Sequence, residues 1–504
     1  MAEPTAPDAS RQPALIEAIA GLLDAAHTAA VDPRSAATLA EARLRLTGPL
    51  RVAIAGKVKA GKSTLLNALV GEELAPTDAG ECTSIVTWYS EGDAPAVTVR
   101  PHGGTDEPTT FLRADGALDV DLGGRDAADI EQIDVRWPTS RLHDLTLIDT
   151  PGMESISVDI SARTLGLLTP DTDRPPMVDA VLYLLRHAHA SDARFLEAFH
   201  DDALVNGTPM NTVGVLSRAD EIGSCRVDAL EVAERVARRY HNEPRLRRLC
   251  PVIVPVAGLL GHAGVTLRES DFHLLQRLAG GTAEEIGELL LTADRFAART
   301  SPIDITPAQR ELLLNRLGLF GVRLSVELIR TGAVTDSSEL AAELTRRSGL
   351  DGLRHVLLRQ FSERSKVLKA RSALLALDSV LRAGGCADQE HLQARAEQIR
   401  AGAHAFEEVR LLDRMRSEGF SFSPDRTAEL ERLLGGTGHD AASRLGLPAD
   451  SADATVQAAT DEALQRWQAI AAHPLNGRGD RLAARGVCRS LEGILSDLTV
   501  AAPR

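Results

Sequence analysis

Apolar residues recur at helical spacing towards both ends of the chain. In residues 14–48 one apolar face predicts a helical segment; it carries Leu15, Ile19, Leu22 and Leu23. After a proline-bounded break at 301–307, a second stripe predicts a long helix with Leu313, Leu317, Phe320, Leu324 and Leu328 on one side. Another long helix is predicted over 352–382, and further helices fill 388–500.

The middle of the chain has a different pattern, in which short continuous apolar runs are separated by helix-like stretches. Continuous apolar runs are typical of buried strands, and their alternation with helices predicts a mostly parallel sheet. Residues 102–130 are rich in glycine and aspartate and predict hairpins or a surface insertion. The predicted strands cover 50–55, 84–89, 95–100, 133–137, 143–149, 178–185, 212–217 and 251–256.

These patterns divide the chain into four parts, and a length of 504 residues favours more than one domain. We expect a disordered N-terminus over 1–13 and a helical segment over 14–48 that packs with the C-terminal bundle. An α/β domain is expected over 49–265, followed by an all-α helical bundle over 266–504.

Composition narrows the class of protein. The net charge of −15 disfavours a general attraction to polyanions, so we expect no nucleic-acid partner. Five widely spaced cysteines without a C-x-x-C pair predict reduced thiols. The N-terminus lacks the pattern of a signal peptide, and no apolar run reaches membrane-spanning length, which predicts a cytoplasmic protein.

The strand at 50–55 leads into a phosphate-loop motif, GKVKAGKS, of the pattern G-x-x-x-x-G-K-[ST]. Three of the five lysines of the chain, Lys57, Lys59 and Lys62, lie in this loop, whereas arginine supplies almost all other positive charge. A compact ammonium suits contact with phosphate oxygens. We expect Lys62 and the loop amides to hold the β- and γ-phosphates and the Ser63 hydroxyl to bind Mg²⁺. The other nucleotide-binding residues expected here are Gly56, Val58, Ala60, Gly61 and Thr64.

Two further motifs complete the expected phosphate site. In the segment LTLIDTPG, an apolar strand is followed by D-T-P-G. Asp149 can hold the Mg²⁺ shell through water, and the amide of Gly152 can sense the γ-phosphate. Between the loop and this strand, Thr83 is expected to close over Mg²⁺ as a switch residue, in preference to Thr77. Together these motifs predict a P-loop nucleoside triphosphatase.

The strand VGVLSRAD ends in residues that favour GTP over ATP. Asp220 matches the acidic residue of the guanine reader [NT]-K-x-D, which accepts from guanine N1 and N2. Arg218 replaces the lysine and can lie on a base. Ser217 departs from the pattern, and S-R-A-D alone would also suit a capped strand end. At the next strand end, a backbone amide of Ala257 or Gly258 could meet guanine O6.

The order of these motifs resembles that of dynamin-superfamily GTPases, in particular the smaller of the isoniazid-inducible dynamin-like proteins of actinobacteria. The likeness covers nearly the whole chain. Its matching stretches are 55–71, 75–78, 85–88, 217–223, 254–260, 341–344, 348–350, 404–408 and 472–476.

The resemblance implies a GTPase domain flanked by helices of a neck and stalk, with GTP or GDP and Mg²⁺ as ligands. It also implies a homodimer formed through the GTPase domain and action at the inner face of the plasma membrane. Membrane maintenance or remodelling under cell-wall stress or drug exposure would follow, with anionic inner-membrane lipids as a possible contact. The competing expectation is a regulatory or scaffold GTPase that acts through a larger dynamin-like partner, since the region after the nucleotide domain is short for a complete stalk with a lipid paddle.

Three positions depart from related GTPases. Val58 stands where dynamins carry a glutamine, and Met153 follows D-T-P-G where Ras-like proteins carry the glutamine that orients water. We therefore expect backbone groups or a dimer partner to position the attacking water, and basal hydrolysis to be slow. Lys59 occupies the position of a dynamin serine that helps to hold a monovalent cation, or of an arginine in guanylate-binding relatives. The resemblance implies that Lys59 supplies this charge directly; the alternative is a solvated loop lysine.

Overall fold

The structure is a computed structural model with a central sheet and many surrounding helices. It describes residues 11–76, 85–114, 117–151, 177–186, 212–223, 225–226, 228–243, 246, 250, 252–357, 365–402, 404–417, 420–436, 438 and 440–501.

Eleven strands are found in the described residues, and nine of them form one sheet in the order β11-β10-β9-β1-β8-β2-β7-β3-β4. The pairs β1–β8, β1–β9, β9–β10, β10–β11 and β2–β7 are parallel, whereas β2–β8, β3–β7 and β3–β4 are antiparallel. The strands are β1 (Leu50–Gly56), β2 (Thr87–Glu91), β3 (Ala96–Pro101), β4 (Glu107–Thr109), β5 (Phe111–Ala114), β6 (Ala117–Val120), β7 (Ile130–Trp137), β8 (Leu145–Asp149), β9 (Ala180–Leu185), β10 (Thr212–Ser217) and β11 (Val252–Val256).

The prediction of a mostly parallel α/β sheet is therefore confirmed. Every residue of β9 and β10 is buried, as expected of strands covered on both faces. The predicted hairpin region contains β5 and β6, which pair antiparallel outside the main sheet.

Helices flank the sheet in the sequence and make up most of the C-terminal half. The first three are α1 (Arg11–Thr28), α2 (Pro33–Arg45) and α3 (Lys62–Val70). Those around β11 and after it are α4 (Ala229–Asn242), α5 (Gly258–Thr266), α6 (Glu269–Ala279), α7 (Ala283–Leu289), α8 (Ala293–Ala298), α9 (Pro307–Arg330), α10 (Ser337–Arg347) and α11 (Leu350–Val356). The last are α12 (Ser365–Arg382), α13 (Gln389–Gly402), α14 (His404–Ser417), α15 (Pro424–Leu433), α16 (Ala441–Leu445), α17 (Asp453–Ala472) and α18 (Arg478–Ala501).

The predicted apolar faces are buried, but two predicted helices have other bounds. The segment at 14–48 forms two helices, and α1 already begins at Arg11. The stretch 352–382 contains the end of α11 and all of α12, while 358–364 lies outside the described residues. The stripe on α9 is buried throughout, and the helix begins at the predicted proline break, where Thr306 Oγ1 accepts from the Gln309 amide at 3.3 Å.

Separate apolar clusters show which helices pack together. Helices α1, α2, α12 and α13 share one cluster, and α14 to α18 supply another. The helices from α5 to α10 pack with α4 and the end of β10. Leu350, Leu353 and Leu357 belong instead to the core of the sheet, so the short helix α11 packs against the sheet.

Asp179, the residue before β9, joins the sheet to the helices α2 and α12. Its carboxylate accepts from Arg45 of α2 at 3.0 Å, from the Ser372 hydroxyl of α12 at 2.7 Å and from the Arg51 amide of β1 at 2.9 Å. The Asp179 side chain is 3% exposed and that of Arg45 is 12% exposed. Burial lowers the pKa of Lys369 on α12, and Asp179 and Asp144 act against this effect. The ion pair between Arg45 and Asp179 is therefore a buried connection between the sheet and the neighbouring helices.

Asp179→Asn is expected to lower the free energy of unfolding by about 3–5 kcal/mol, because it removes the negative charge that faces the buried Arg45 guanidinium. Urea denaturation measures the change. The matched control is Asp24→Asn, because Asp24 pairs with Arg43 at 3.2 Å but is 62% exposed. Exposed pairs of this kind contribute at most about 1 kcal/mol. Equal small losses in both variants would contradict the role assigned to Asp179.

Candidate nucleotide site

The phosphate loop runs between β1 and α3 and presents the first amides of the helix. Gly61 precedes the helix with φ 91°, a left-handed conformation that favours glycine. The Ala60 amide donates to Lys57 O at 3.1 Å, which closes the loop into a turn. Backbone amides at a helix N-terminus attract anions, so this end of α3 suits phosphate binding.

Lys62 extends across this loop. Its Nζ atom donates to the carbonyl oxygens of Gly56 and Lys57, each at 3.4 Å. Burial lowers the pKa of Lys62, and the negative charge of Asp149 acts against this effect. The ammonium is therefore held over the loop, where phosphate oxygens would compete with the two carbonyls.

Ser63 and Asp149 meet at the opposite edge of the loop, as expected for a metal site. The Ser63 hydroxyl donates to Asp149 Oδ2 at 3.0 Å, while Asp149 Oδ1 is shielded from solvent and has no hydrogen-bond partner. Burial raises the pKa of Asp149 to about 6. Thr150 Oγ1 donates to Ile54 O at 2.8 Å and ties the end of β8 to β1. A hydroxyl and an unsatisfied carboxylate oxygen are hard ligands, so this donor set fits Mg²⁺.

The two predicted switch residues, Thr83 and Gly152, lie outside the described residues, as do Thr77 and Met153. The chain leading towards Thr83 is anchored by Asn67 of α3, which is buried. Its side-chain oxygen accepts from the amides of Leu74 and Ala75 at 3.0 and 2.8 Å, and its Nδ2 donates to Ala75 O at 2.8 Å. The phosphate-loop helix thus fixes Leu74 and Ala75.

The remaining loop residues face outward. Val58 is 43% exposed, and Lys59 is also exposed. Lys59 has φ 61°, an uncommon conformation for a residue other than glycine. The loop backbone thus adopts a left-handed conformation at the lysine for which the sequence suggests a role at the phosphates.

A cavity extends from the phosphate loop to the ends of β10 and β11. It brings together several predicted residues that are far apart in sequence. Its polar and glycine lining residues are Gly61, Thr64, Ser217, Arg218, Asp220, Glu221 and Gly258; its apolar ones are Ala60, Leu65, Leu184, Val215, Val256 and Leu259.

The S-R-A-D residues form the far end of this cavity. Ser217 donates to Leu185 O at 3.2 Å and so holds the ends of β10 and β9 together. Asp220 lies in a short 3₁₀ turn and is buried, which raises the pKa of its carboxyl to about 6. Arg218 donates to Glu221 at 2.6 Å. An acidic acceptor in a cavity that also has apolar lining residues suits a base with two adjacent N–H donors, as guanine has.

Ala257 and Gly258, the two residues after β11, have different contacts. Gly258 lines the cavity, whereas the Ala257 amide donates to Ser348 O at 2.8 Å. The next residue, Gly349, has φ 78°, and a Cβ atom there would lie 2.2 Å from Pro255 O. The turn between α10 and α11 thus packs directly against the base side of the site.

Sequence reasoning missed this turn and the apolar lining of the cavity. Leu184, Val215 and Val256 are ordinary strand residues in the sequence, and no local signal separates them from other core positions. Arg354 of α11 was also missed; it donates to Ala68 O of α3 at 3.0 Å.

Comparison with known proteins agrees with this geometry. The sequence profile of the dynamin family matches residues 52–218, which include the phosphate loop, Asp149 and Ser217–Arg218. The isoniazid-induced protein IniC of Mycobacterium tuberculosis is 43% identical over 458 residues, which cover 90% of this chain and 92% of that protein. The chain belongs to the dynamin family. This dynamin-like GTPase resembles IniC over almost its full length, including the helices after the sheet.

Two more distant relatives match parts of this dynamin. The isoniazid-induced protein IniA of Mycobacterium tuberculosis is 35% identical over 153 residues, or 29% of this chain and 22% of that protein. A bacterial dynamin-like protein of Nostoc punctiforme is 26% identical over 220 residues, or 40% and 29% of the two chains. Among the residues that the structure describes, no helix is both long enough and apolar enough to cross a membrane.

Lowering the pH through about 6 is expected to weaken GDP binding, because only the ionised Asp220 accepts from both guanine N1 and N2. Burial raises the pKa of Asp220 to about 6, so the binding form is complete well above that pH and is lost below it. The dissociation constant should rise by about tenfold for each pH unit below the pKa.

Titration with GDP without Mg²⁺ measures this dependence and avoids metal binding at Asp149. Asp220→Asn is the matched control, because its amide does not titrate. Its GDP affinity should be low at high pH and should lack the further loss that the wild type shows through pH 6. A GDP affinity that stays constant from about pH 7.5 to about pH 5 would contradict the role of Asp220.

Proposed function

We propose that this dynamin binds GTP with Mg²⁺, hydrolyses it to GDP, and couples the cycle to dimerisation of nucleotide domains and movement of the helical region. The observation that carries the proposal is the position of the cavity. Its lining includes Ala60 and Gly61, which directly precede Lys62 and Ser63 in the phosphate loop, and also Asp220. Ser63 in turn contacts Asp149.

Each end of the site has a defined task. Lys62 and the amides before α3 bind the β- and γ-phosphates, and the ammonium stabilises charge that builds up on them during hydrolysis. Ser63 and Asp149 hold the metal, which when bound supplies positive charge to the phosphate oxygens. Asp220 reads guanine, and Arg218 and Gly258 border the base.

Hydrolysis by this set alone should be slow. Lys62, Ser63 and Asp149 stabilise charge but do not orient an attacking water, and Val58 and Met153 stand where related GTPases carry glutamine. We propose that backbone groups or a second copy of the chain complete the site. Lys59, exposed and in a left-handed conformation, supplies positive charge to the transition state.

Contacts between the sheet and the helices could transmit structural changes from the nucleotide site to the helical region. The turn at Ser348–Gly349 packs on the base side, and Asp179 joins the sheet to α2 and α12. We propose that residues 49–265 act as the GTPase domain and that 14–48 and 266–504 act as neck and stalk. We also propose action at the inner face of the plasma membrane, in membrane maintenance or remodelling under envelope stress or drug exposure. The name of the isoniazid-induced relative supports the link to drug exposure.

The second candidate is a regulatory GTPase that acts through a larger dynamin-like partner. It is supported by the partial match to IniA, which extends over a smaller share of that protein than of this chain. Co-sedimentation with liposomes of anionic lipid separates the two candidates. Direct sedimentation in the presence of GTP supports the first, whereas sedimentation only after addition of a larger dynamin-like protein supports the second.

Displacement of a fluorescent GDP analogue by unlabelled nucleotides tests the site itself. GTP and GDP should displace it at far lower concentration than ATP, because adenine lacks the N1 and N2 donors that Asp220 requires. Equal displacement by GTP and ATP would reject guanine recognition and favour an ATPase. The matched control is Asp220→Asn, which should lose the preference for GTP and GDP.

A further inference from the structure

We propose that Glu221 determines base specificity by holding Arg218 away from Asp220, so that the Asp220 carboxylate stays available to guanine. The inference rests on the proposed function, because it takes the base in this cavity to be guanine. Glu221 is thus a residue outside S-R-A-D that contributes to recognition of guanine.

Glu221 lies between two arginines and uses both of its oxygens. Oε1 accepts from Arg218 Nη1 at 2.6 Å, and Oε2 accepts from Arg186 Nη2 at 2.6 Å. Arg218 and Glu221 both line the cavity, and their side chains are only about one-third exposed, at 36% and 37%. Arg218 is therefore fixed at the cavity wall.

The backbone conformation places Arg218 and Glu221 next to each other. Arg218 has φ 52° and ψ 44°, and the Glu221 amide donates to Arg218 O at 3.0 Å. This closes a 3₁₀ turn that places the two side chains three residues apart on one side. A left-handed conformation is uncommon for arginine, so the turn holds Arg218 in a conformation that the chain would not otherwise favour.

Asp220 lies inside the same turn and is the neighbouring carboxylate. It is buried, and in the described part of the chain no cationic side chain forms an ion pair with it. Burial raises the pKa of Asp220 most; the charge of Glu221 raises it further and that of Arg218 lowers it. Arg218 is thus close enough to influence Asp220 but is paired elsewhere.

The attraction between charges decides where Arg218 goes if Glu221 is removed. Attraction between opposite charges is strong in a poorly solvated site, so a released guanidinium would move to the nearest carboxylate. A guanidinium paired with Asp220 would occupy the two oxygens that guanine N1 and N2 require, since both are planar pairs of donors. The usual lysine of this motif has a single compact charge, whereas arginine presents a planar fork and needs to be restrained.

The experiment compares the dissociation constants of GDP and inosine diphosphate (IDP), which lacks the 2-amino donor. It uses the full-length chain as wild type, Glu221→Ala, Arg218→Ala and the double variant. Glu221→Ala should reduce the preference for GDP over IDP by about tenfold, since neighbouring charged residues couple at about this level. Adding Arg218→Ala should restore the preference, because the competing guanidinium is gone.

Arg186→Ala is the matched control. Arg186 binds the other oxygen of the same carboxylate, so this variant keeps the Arg218–Glu221 pair and should keep the preference for GDP. If Glu221→Ala fails to unfold cooperatively on heating, Glu221→Gln gives the same comparison with the side-chain shape kept. It should reduce the preference in the same direction.

Three outcomes would overturn the proposal. They are an unchanged GDP preference in Glu221→Ala, an equal loss of GDP and IDP affinity, and additive losses in the double variant. A wild-type chain that does not prefer GDP to IDP would instead reject the proposed function. A wild-type preference with unaffected variants rejects only the role of Glu221.

Discussion

Lys62→Ala is expected to lower kcat/KM for GTP by roughly a thousandfold, the range found when a preorganised charge is removed from a reacting group. The Nζ atom of Lys62 lies over the loop, 3.4 Å from each of two carbonyl oxygens. Its loss removes the charge that binds the β- and γ-phosphates in both the ground state and the transition state. Both GDP affinity and turnover should therefore fall.

Steady-state hydrolysis and GDP titration measure the two effects of this change. Lys366→Ala is the matched control, because Lys366 lies on α12, outside the phosphate loop, and its loss should leave both quantities unchanged. A Lys62→Ala variant with normal GDP affinity would show that the loop amides alone hold the phosphates.

Lys59→Ala should reduce kcat by roughly a hundredfold while GDP affinity changes little, because its charge acts on the transition state. Lys59 is exposed and carries φ 61°. The pattern differs from that of Lys62→Ala, in which binding and turnover fall together. Steady-state hydrolysis at saturating GTP measures kcat, and single-turnover hydrolysis with the protein in excess over GTP measures the chemical step.

A conservative variant and a change of salt sharpen this test. Lys59→Arg should retain much of the activity, since it keeps a positive charge at the same loop position. Wild-type turnover should be the same in sodium and potassium buffers if the lysine replaces a bound monovalent cation. A near-normal kcat in Lys59→Ala would mean that Lys59 is only a solvated loop residue.

The local parts of the site could be predicted from the sequence because each lies in a few consecutive residues. The phosphate loop follows from GKVKAGKS, and the meeting of Ser63 with Asp149 follows from the rule that parallel strands β1 and β8 end at the same edge of a sheet. Asp220 could be placed at the base end by the same rule, since β10 belongs to the same sheet.

The partners of the helices could not be predicted, because an apolar stripe shows which face is buried but not what covers it. The apolar pattern assigns Leu353 and Leu368 to one face of one helix. The structure places both in the core of the sheet, whereas Leu374 and Leu377 of α12 pack with α1 and α2. Asp179 was likewise missed, since its partner Ser372 is far from it in sequence. Glu221 was missed because the sequence does not show that its neighbour Arg218 lies beside it at the cavity.

GTP turnover measured over a range of protein concentrations, with and without anionic liposomes, tests the central claim most directly. We expect slow hydrolysis at low concentration, a turnover number that rises with protein concentration, and sedimentation of the protein with the liposomes. A turnover number that is independent of protein concentration, together with no sedimentation, would contradict a self-assembling membrane GTPase and favour action through a larger partner.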